Sequence, residues 1–307
     1  MKQIIVISLL IVSFSCTSPN ANDNKIVIDF ADTLEIENNI NNARQKVVYI
    51  AIASMTSPKE TYIYYSDLIK YISKKVGYPI YIKQKKTYEE VNKLLENSEV
   101  DFAFICSGAF IEGYKENKIK LLVAPQIKNK ITYKAYIITQ KNSTTNDFRD
   151  FDGKSFAFTD PLSNTGRLFP LRKVIKLFRN ENDFFEETVF TYGHDISIQM
   201  VNRGIIDGAS VHGLIFDYLK IHYPQRVNNI KIIEKSEKFG MPPIVMPRSL
   251  SNKSYETYQK IFLNIHNDSI GKKILNKLNI DKFVTIEDSL YNSIFELKEF
   301  INDAKTK

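Results

Sequence analysis

Cysteine is scarce in this chain, occurring only as Cys16 and Cys106 among 307 residues. A domain freed of its first sixteen residues keeps Cys106 alone, so no internal disulfide can form and stability must come from packing. Cys106 ends the apolar run Phe102-Ala103-Phe104-Ile105-Cys106, which gives it the expected role of a core residue. No apolar run near the start is long enough to span a bilayer: the stretch 4–14 is too short. Clustered basic charge is also missing. The formal charge is +7, but the lysines are spread along the chain instead of forming a tail or one helix face. That distribution argues against a nucleic-acid partner, while the positive balance helps to draw in anions. No nucleophile elbow, Walker loop, dinucleotide fingerprint or zinc-protease helix occurs, and there is no long linker, low-complexity tract or internal repeat.

What is present is the composition of a soluble globular protein, 43% hydrophobic and 25% charged. Lys2 followed by the apolar stretch 4–14 has the pattern of a signal peptide. Ser13-Phe14-Ser15-Cys16 resembles a lipobox, with the small Ser15 before the cysteine and Ser13 in place of the usual leucine. Residues 1–16 therefore read as a lipoprotein signal, with Cys16 the lipidation site and an ordinary signal-peptidase site the alternative. The polar stretch 17–24 opens a tether that runs to residue 45. The expected location is outside the cytoplasm, lipid-anchored to a membrane in the periplasm or cell envelope.

From residue 47 onward, short apolar runs alternate with segments of helical period, the order of an α/β fold with mainly parallel sheets. Strands are expected at 47–53, 80–82, 101–105 and 121–124, then at 133–139, 155–158, 189–191, 208–211, 230–233 and 244–246. Between the first two, Tyr62, Tyr65, Leu68, Ile69, Ile72 and Val76 form one helical stripe ended by Gly77. Leu168, Leu171, Val174, Ile175 and Phe178 form another, and Leu290, Ile294, Leu297 and Ile301 a C-terminal one. The rhythm divides the chain into a first lobe of residues 46–130 plus 236–307 and a second of 131–235.

In open α/β sheets ligands bind beyond the carboxyl ends of the strands, and here those positions are small and polar. Asp160-Pro161-Leu162-Ser163-Asn164-Thr165-Gly166 joins a strand to a helix through hydroxyl residues and a glycine. Ser163 or Asn164 can cap that helix, and its N–H groups and dipole suit an anion. An ordinary helix cap uses the same residue types, so this segment alone leaves both readings open.

Four stretches together resemble the phosphate/phosphite/phosphonate-binding proteins of ABC importers. They are Ser57-Pro58-Lys59-Glu60 before the Tyr-rich helix; Val100-Asp101-Phe102-Ala103-Phe104 running into Ser107-Gly108-Ala109-Phe110; Asp160-Pro161 with Ser163-Asn164-Thr165-Gly166 and Pro170; and Gly193-His194-Asp195 followed by Asn202, Gly204, Asp207, Gly208 and Ala209. The resemblance implies a two-lobed, type II periplasmic-binding-protein-like α/β fold with the ligand cleft between the lobes. It implies a small phosphorus oxyanion as ligand and an ABC permease as partner, with no bond broken. Ser163, Asn164, Thr165, Gly166 and His194 would then bind phosphoryl oxygens, with Thr56, Ser107 and Tyr62 closing the site from the first lobe.

The chain departs from the family pattern in four places. Phe110 stands where many relatives have tyrosine, and Met241-Pro242-Pro243 lacks an acidic residue seen near there in some members. His212 offers no carboxylate for an aminoalkyl group, which weakens the case for an aminophosphonate, and Arg167 could reach a more highly charged anion or lie in solvent. A sensory protein, or one for an organic ligand such as a thiamine precursor, would share the fold. A cysteine-hydrolase pair of Cys106 and His194 would span two expected lobes. His194, Asp195 and His212 lack the compact spacing of a metal site. Neither catalysis nor a metal or other cofactor is expected.

Overall fold

The computed structural model describes residues 46–305, so the expected signal peptide, Cys16 and the whole tether lie outside the described residues. The chain begins with a βαβαβ series: β1 (Val48–Ile52), α1 (Pro58–Val76), β2 (Ile80–Lys83), α2 (Tyr88–Glu96) and β3 (Phe102–Phe104). Local sequence sets both helices. Pro58 fits the first turn of α1, whose own N–H groups have no helical partner, and Gly77 ends it in the left-handed region at φ 81°. Thr87 and Glu90 form a reciprocal capping box at the start of α2.

After α3 (Ser107–Lys115) and β4 (Ile119–Gln126), the chain crosses through β5 (Thr132–Tyr133) into a second sheet. That part contains β6 (Ala135–Gln140), β7 (Ser155–Phe158), α4 (Phe169–Lys176), α5 (Glu181–Phe184), β8 (Glu187–Phe190), α6 (His194–Asn202), β9 (Gly208–His212), α7 (Gly213–His222) and β10 (Ile230–Lys235). It returns through β11 (Phe239–Gly240) to β12 (Ile244–Pro247), then α8 (Asn252–Asn264), α9 (Ser269–Lys277), β13 (Lys282–Val284) and α10 (Asn292–Lys305).

The strands sort into a six-stranded sheet, β13-β4-β12-β3-β1-β2, and a five-stranded sheet, β10-β6-β9-β7-β8. The short pair β5 and β11, antiparallel, ties the two crossings together. Both sheets are mixed, which corrects the expectation of mainly parallel ones. β12 comes back from the second sheet and inserts between β3 and β4 antiparallel to both, and β6 runs antiparallel to β9 and β10. A chain that leaves a sheet and re-enters it from the far side must reverse its direction. The rhythm also missed α9 and β13, and α10 bridges the lobes: Ile294, Leu297 and Ile301 share a core with Phe169 and Leu171, while Lys298 pairs with Glu112 of α3.

The first lobe's core is built on aromatic contacts. Phe102 is fully buried, with ring centroids 5.1 Å from Tyr258, 5.4 Å from Phe262 and 6.3 Å from Phe104. Phe102→Ala should therefore cost about 3–5 kcal/mol in urea denaturation. A loss below ~1 kcal/mol would show that this core does not close on Phe102.

Candidate functional site

β7 leads into an unusual helix start. Ser163 is the N-cap, and its hydroxyl accepts the Gly166 N–H at 3.0 Å. The next five residues, Asn164–Leu168, form a π turn, in which the Arg167 and Leu168 N–H groups both donate to the Ser163 carbonyl, at 3.0 and 2.9 Å. The Phe169 N–H reaches back to the Asn164 carbonyl. The following donor in that ladder would be Pro170, which has no N–H. The Thr165 carbonyl is served instead by the Ser210 hydroxyl of β9, at 2.5 Å. π turns inside helices often occur at functional sites. Gly166 is required here for space: a Cβ on it would collide with the Thr159 hydroxyl and come within 2.6 Å of the Thr159 Cβ.

His194 opens α6 and is fully buried. Its Nδ1 receives the backbone N–H of His212 at 3.2 Å and lies 3.0 Å from the Thr159 hydroxyl. A backbone N–H can only donate, so Nδ1 must be an acceptor. Burial, reinforced by the neighbouring His212, holds the His194 pKa well below the ordinary imidazole value. The ring is thus neutral with its proton on Nε2, and that N–H has no hydrogen-bond partner among the described residues. Burial likewise lowers the pKa of His212 to about 3.

The first lobe faces this cluster closely. A Cβ on Gly108, in the first turn of α3, would strike the Leu162 carbonyl and lie 2.8 Å from the Asn164 nitrogen. Tyr133, on the crossing strand β5, bonds Ser107 Oγ at 2.8 Å, accepts from Asn164 Nδ2 at 3.3 Å and stacks on His212 with 4.3 Å between centroids. The Tyr88 N–H donates to the buried carboxylate of Asp160 at 3.0 Å, and the Leu162 N–H to the same group at 2.8 Å. Further bonds cross the cleft from His194 N–H to the Met55 carbonyl and from Ser57 N–H to Asp195, both at 2.9 Å. Besides His194 Nε2, the buried Tyr88 hydroxyl, Thr165 Oγ1, Asn164 Oδ1 and His212 Nδ1 have no hydrogen-bond partner among the described residues.

The expected residues do not all meet. Ser163, Asn164, Thr165, Gly166, His194 and Ser107 share the buried cluster, and the Ser163 hydroxyl, which accepts the Gly166 N–H, keeps its own proton to donate. Thr56 is buried and shares a hydrogen bond of 3.0 Å with Thr61. Tyr62 stands apart: it is 37% exposed, while Thr61, Tyr64 and Tyr65 line the interlobe cavity. Arg167 does not lie in solvent, and its Nη1 has no hydrogen-bond partner among the described residues. It is buried, with its guanidinium paired to Glu181 at 2.5 Å and 4.4 Å from the Phe158 ring centroid. Burial raises the Cys106 thiol above its ordinary pKa, the reverse of what an activated nucleophile needs. Among the described residues no three His, Cys, Asp or Glu side chains gather as a metal site.

A family model described as "ABC transporter, phosphonate, periplasmic substrate-binding protein" matches residues 50–291, well over half of the chain. The chain belongs to that family. Its members are substrate-binding proteins, not enzymes. Among curated proteins it is similar to the phosphonates-binding periplasmic protein of Escherichia coli (strain K12), 27% identical over 160 residues, 51% of this chain and 47% of that one. It is also similar to a probable ABC transporter phosphite-binding protein of Prochlorococcus marinus (strain MIT 9301), 24% identical over 187 residues, 55% of this chain and 61% of that one. The matched part thus spans about half and three fifths of those relatives' own length. Among solved structures, a binding protein component of a phosphonate ABC transporter from Pseudomonas aeruginosa superimposes with a TM-score of 0.80, at 21% identity over 85% of this chain and 88% of that chain. PhnD1 of Prochlorococcus marinus in complex with methylphosphonate gives 0.76, at 17% identity over 84% and 98%. These likenesses establish the two-lobed, type II periplasmic-binding-protein fold.

Within this family member, reading the sequence missed Tyr88, Tyr133 and Thr159. Thr159 follows the expected strand 155–158 and Tyr133 opens the expected strand 133–139, and those positions were the signal available for these two. The two buried imidazoles make a pH prediction. The unfolded state binds protons below about pH 6.5 that the folded state refuses, so each neutral histidine lowers stability as pH falls through that range. Asp160 and Asp195, raised by burial, act in the opposite sense at pH values above the ordinary carboxylate range. Comparison with a variant isolates the histidine effect. In urea denaturation the stability difference between the wild type and His212→Gln should narrow in favour of the variant from pH 7 to pH 4.5; a constant difference would mean that His212 is not held neutral.

Proposed function

We propose that the protein captures a small phosphorus oxyanion, a phosphonate, phosphite or phosphate, between its lobes and delivers it to an ABC importer. The observation that carries this reading is a set of buried polar groups of one cluster that have no hydrogen-bond partner among the described residues: Thr165 Oγ1, Tyr88 Oη and His194 Nε2–H. Each such group costs about 1–3 kcal/mol when left unsatisfied, and an oxyanion accepts from all of them. The N-terminal turn beside them adds its dipole to these neutral donors.

On this reading the ligand stabilises the arrangement in which the lobes touch, because its oxygens bridge Tyr88 of the first lobe and Thr165 and His194 of the second. The permease would recognise that closed form. Cys16 would carry a lipid anchor, and the segment 17–45 would tether the lobes to the membrane. Methylphosphonate in the related PhnD1 complex and the names of the curated relatives favour a phosphorus ligand over other anions.

Calorimetric titration with methylphosphonate, phosphite, phosphate and, as control, sulfate tests the proposal. At least one phosphorus compound should bind selectively, and Thr165→Val and His194→Ala should each weaken it by about 10- to 100-fold, the loss of one hydrogen bond to a charged group. Unchanged melting temperatures of the ligand-free variants would separate a site effect from unfolding. Absence of binding to every phosphorus compound, or equal affinity in both variants, would overturn the reading.

A further inference from the structure

We infer that the substituent on phosphorus is uncharged and apolar, about the size of a phenyl ring, and lies in the cavity between α1 and α7; this rests on the phosphorus-oxyanion reading above. A cavity of about 160 Å³ opens between Thr61, Tyr64 and Tyr65 on α1 and Leu214, Ile215 and Tyr218 on α7. Apolar cavities of roughly 150 Å³ hold a benzene ring.

The cavity adjoins the anion cluster through shared residues. His212 lines it, while the same ring stacks on Tyr133 and has its centroid 5.7 Å from that of His194. Met55, whose carbonyl takes the His194 N–H, and Thr56 line it as well. A substituent on a phosphorus atom held at Thr165 and His194 would extend past His212 and Met55 into this space.

The wall chemistry selects that group. No Asp, Glu, Lys or Arg lines the cavity, and the loop 241–243 contributes Met241, Pro242 and Pro243. The acid closest in sequence to the α1 lining, Glu60, is already engaged by Arg226 Nη1 at 2.9 Å. An alkylammonium would lose its hydration there without a free carboxylate to replace it, which is costly. A hydrogen or methyl substituent would leave the apolar walls unused, whereas a phenyl or short branched alkyl group would cover them.

Titration calorimetry of the purified protein with phenylphosphonate, methylphosphonate, 2-aminoethylphosphonate, phosphite and phosphate separates the outcomes. Phenylphosphonate should bind about tenfold or more tighter than methylphosphonate, and 2-aminoethylphosphonate more weakly than either. Ile215→Trp, at a half-buried wall position, should remove the phenyl advantage and leave methylphosphonate within about twofold. Phenylphosphonate binding no tighter than methylphosphonate, or 2-aminoethylphosphonate binding tightest, overturns this inference and leaves the oxyanion reading standing. The wild-type series decides the matter even where the variant misfolds. Binding of none of the five compounds overturns both.

Discussion

The backbone N–H of His212 occupies Nδ1 of His194 and thereby decides which proton the buried imidazole can offer. Because β9 ends at His212 and α6 begins at His194, this bond is made by the register of a strand against the helix beside it. Thr159, from the end of β7, holds the same nitrogen. Gly166 must lack a side chain for Thr159 to stay where it is. Strand end, helix start and glycine thus form one dependent set, and the free Nε2–H is its product.

A second dependency runs through the π turn. Pro170 withholds an N–H from the Thr165 carbonyl, and Ser210 replaces it, so the turn is fastened to β9 as well as capped by Ser163. The lobes then meet over it: Gly108 brings α3 against residues 162–164, and Tyr133 bonds Ser107 on one side and Asn164 on the other. Tyr133 lies on β5, one of the two crossing strands. Neutral groups do all this work. Buried asparagine, hydroxyls and imidazole exact a smaller desolvation cost than buried lysine or arginine would, and they can be preorganised by the surrounding hydrogen bonds.

Much of this could be read from residues alone. The alternation of apolar runs located most strands, and the Ser163-Asn164-Thr165-Gly166 segment, with His194, stood out because small polar residues gathered after strands. The sheets' mixed direction was hidden because direction depends on where the chain crosses between lobes, which periodicity does not encode. Tyr62 was misjudged for a related reason. It continues the stripe of Tyr65, Leu68 and Ile69, but the first turn of α1 faces the other lobe, where Thr61 enters the cavity wall and Tyr64 meets Tyr218 at 5.0 Å. Arg167 looked available beside the anion segment until Glu181, fourteen positions away, was seen to claim it. The cavity is assembled from strand ends, loops and the helices α1 and α7, remote from one another in sequence, so no single segment announces it.

The central claim is that His194 meets the ligand as a neutral imidazole with its proton on Nε2. Nitrogen-15 NMR of histidine-labelled protein, recorded from pH 8 to pH 5 with and without methylphosphonate, tests it directly. The account predicts a His194 ring that does not titrate over this range, with Nδ1 unprotonated and an Nε2–H resonance that shifts when methylphosphonate binds. Titration of His194 near pH 6.5, a proton on Nδ1, or an Nε2–H signal indifferent to bound methylphosphonate would contradict it.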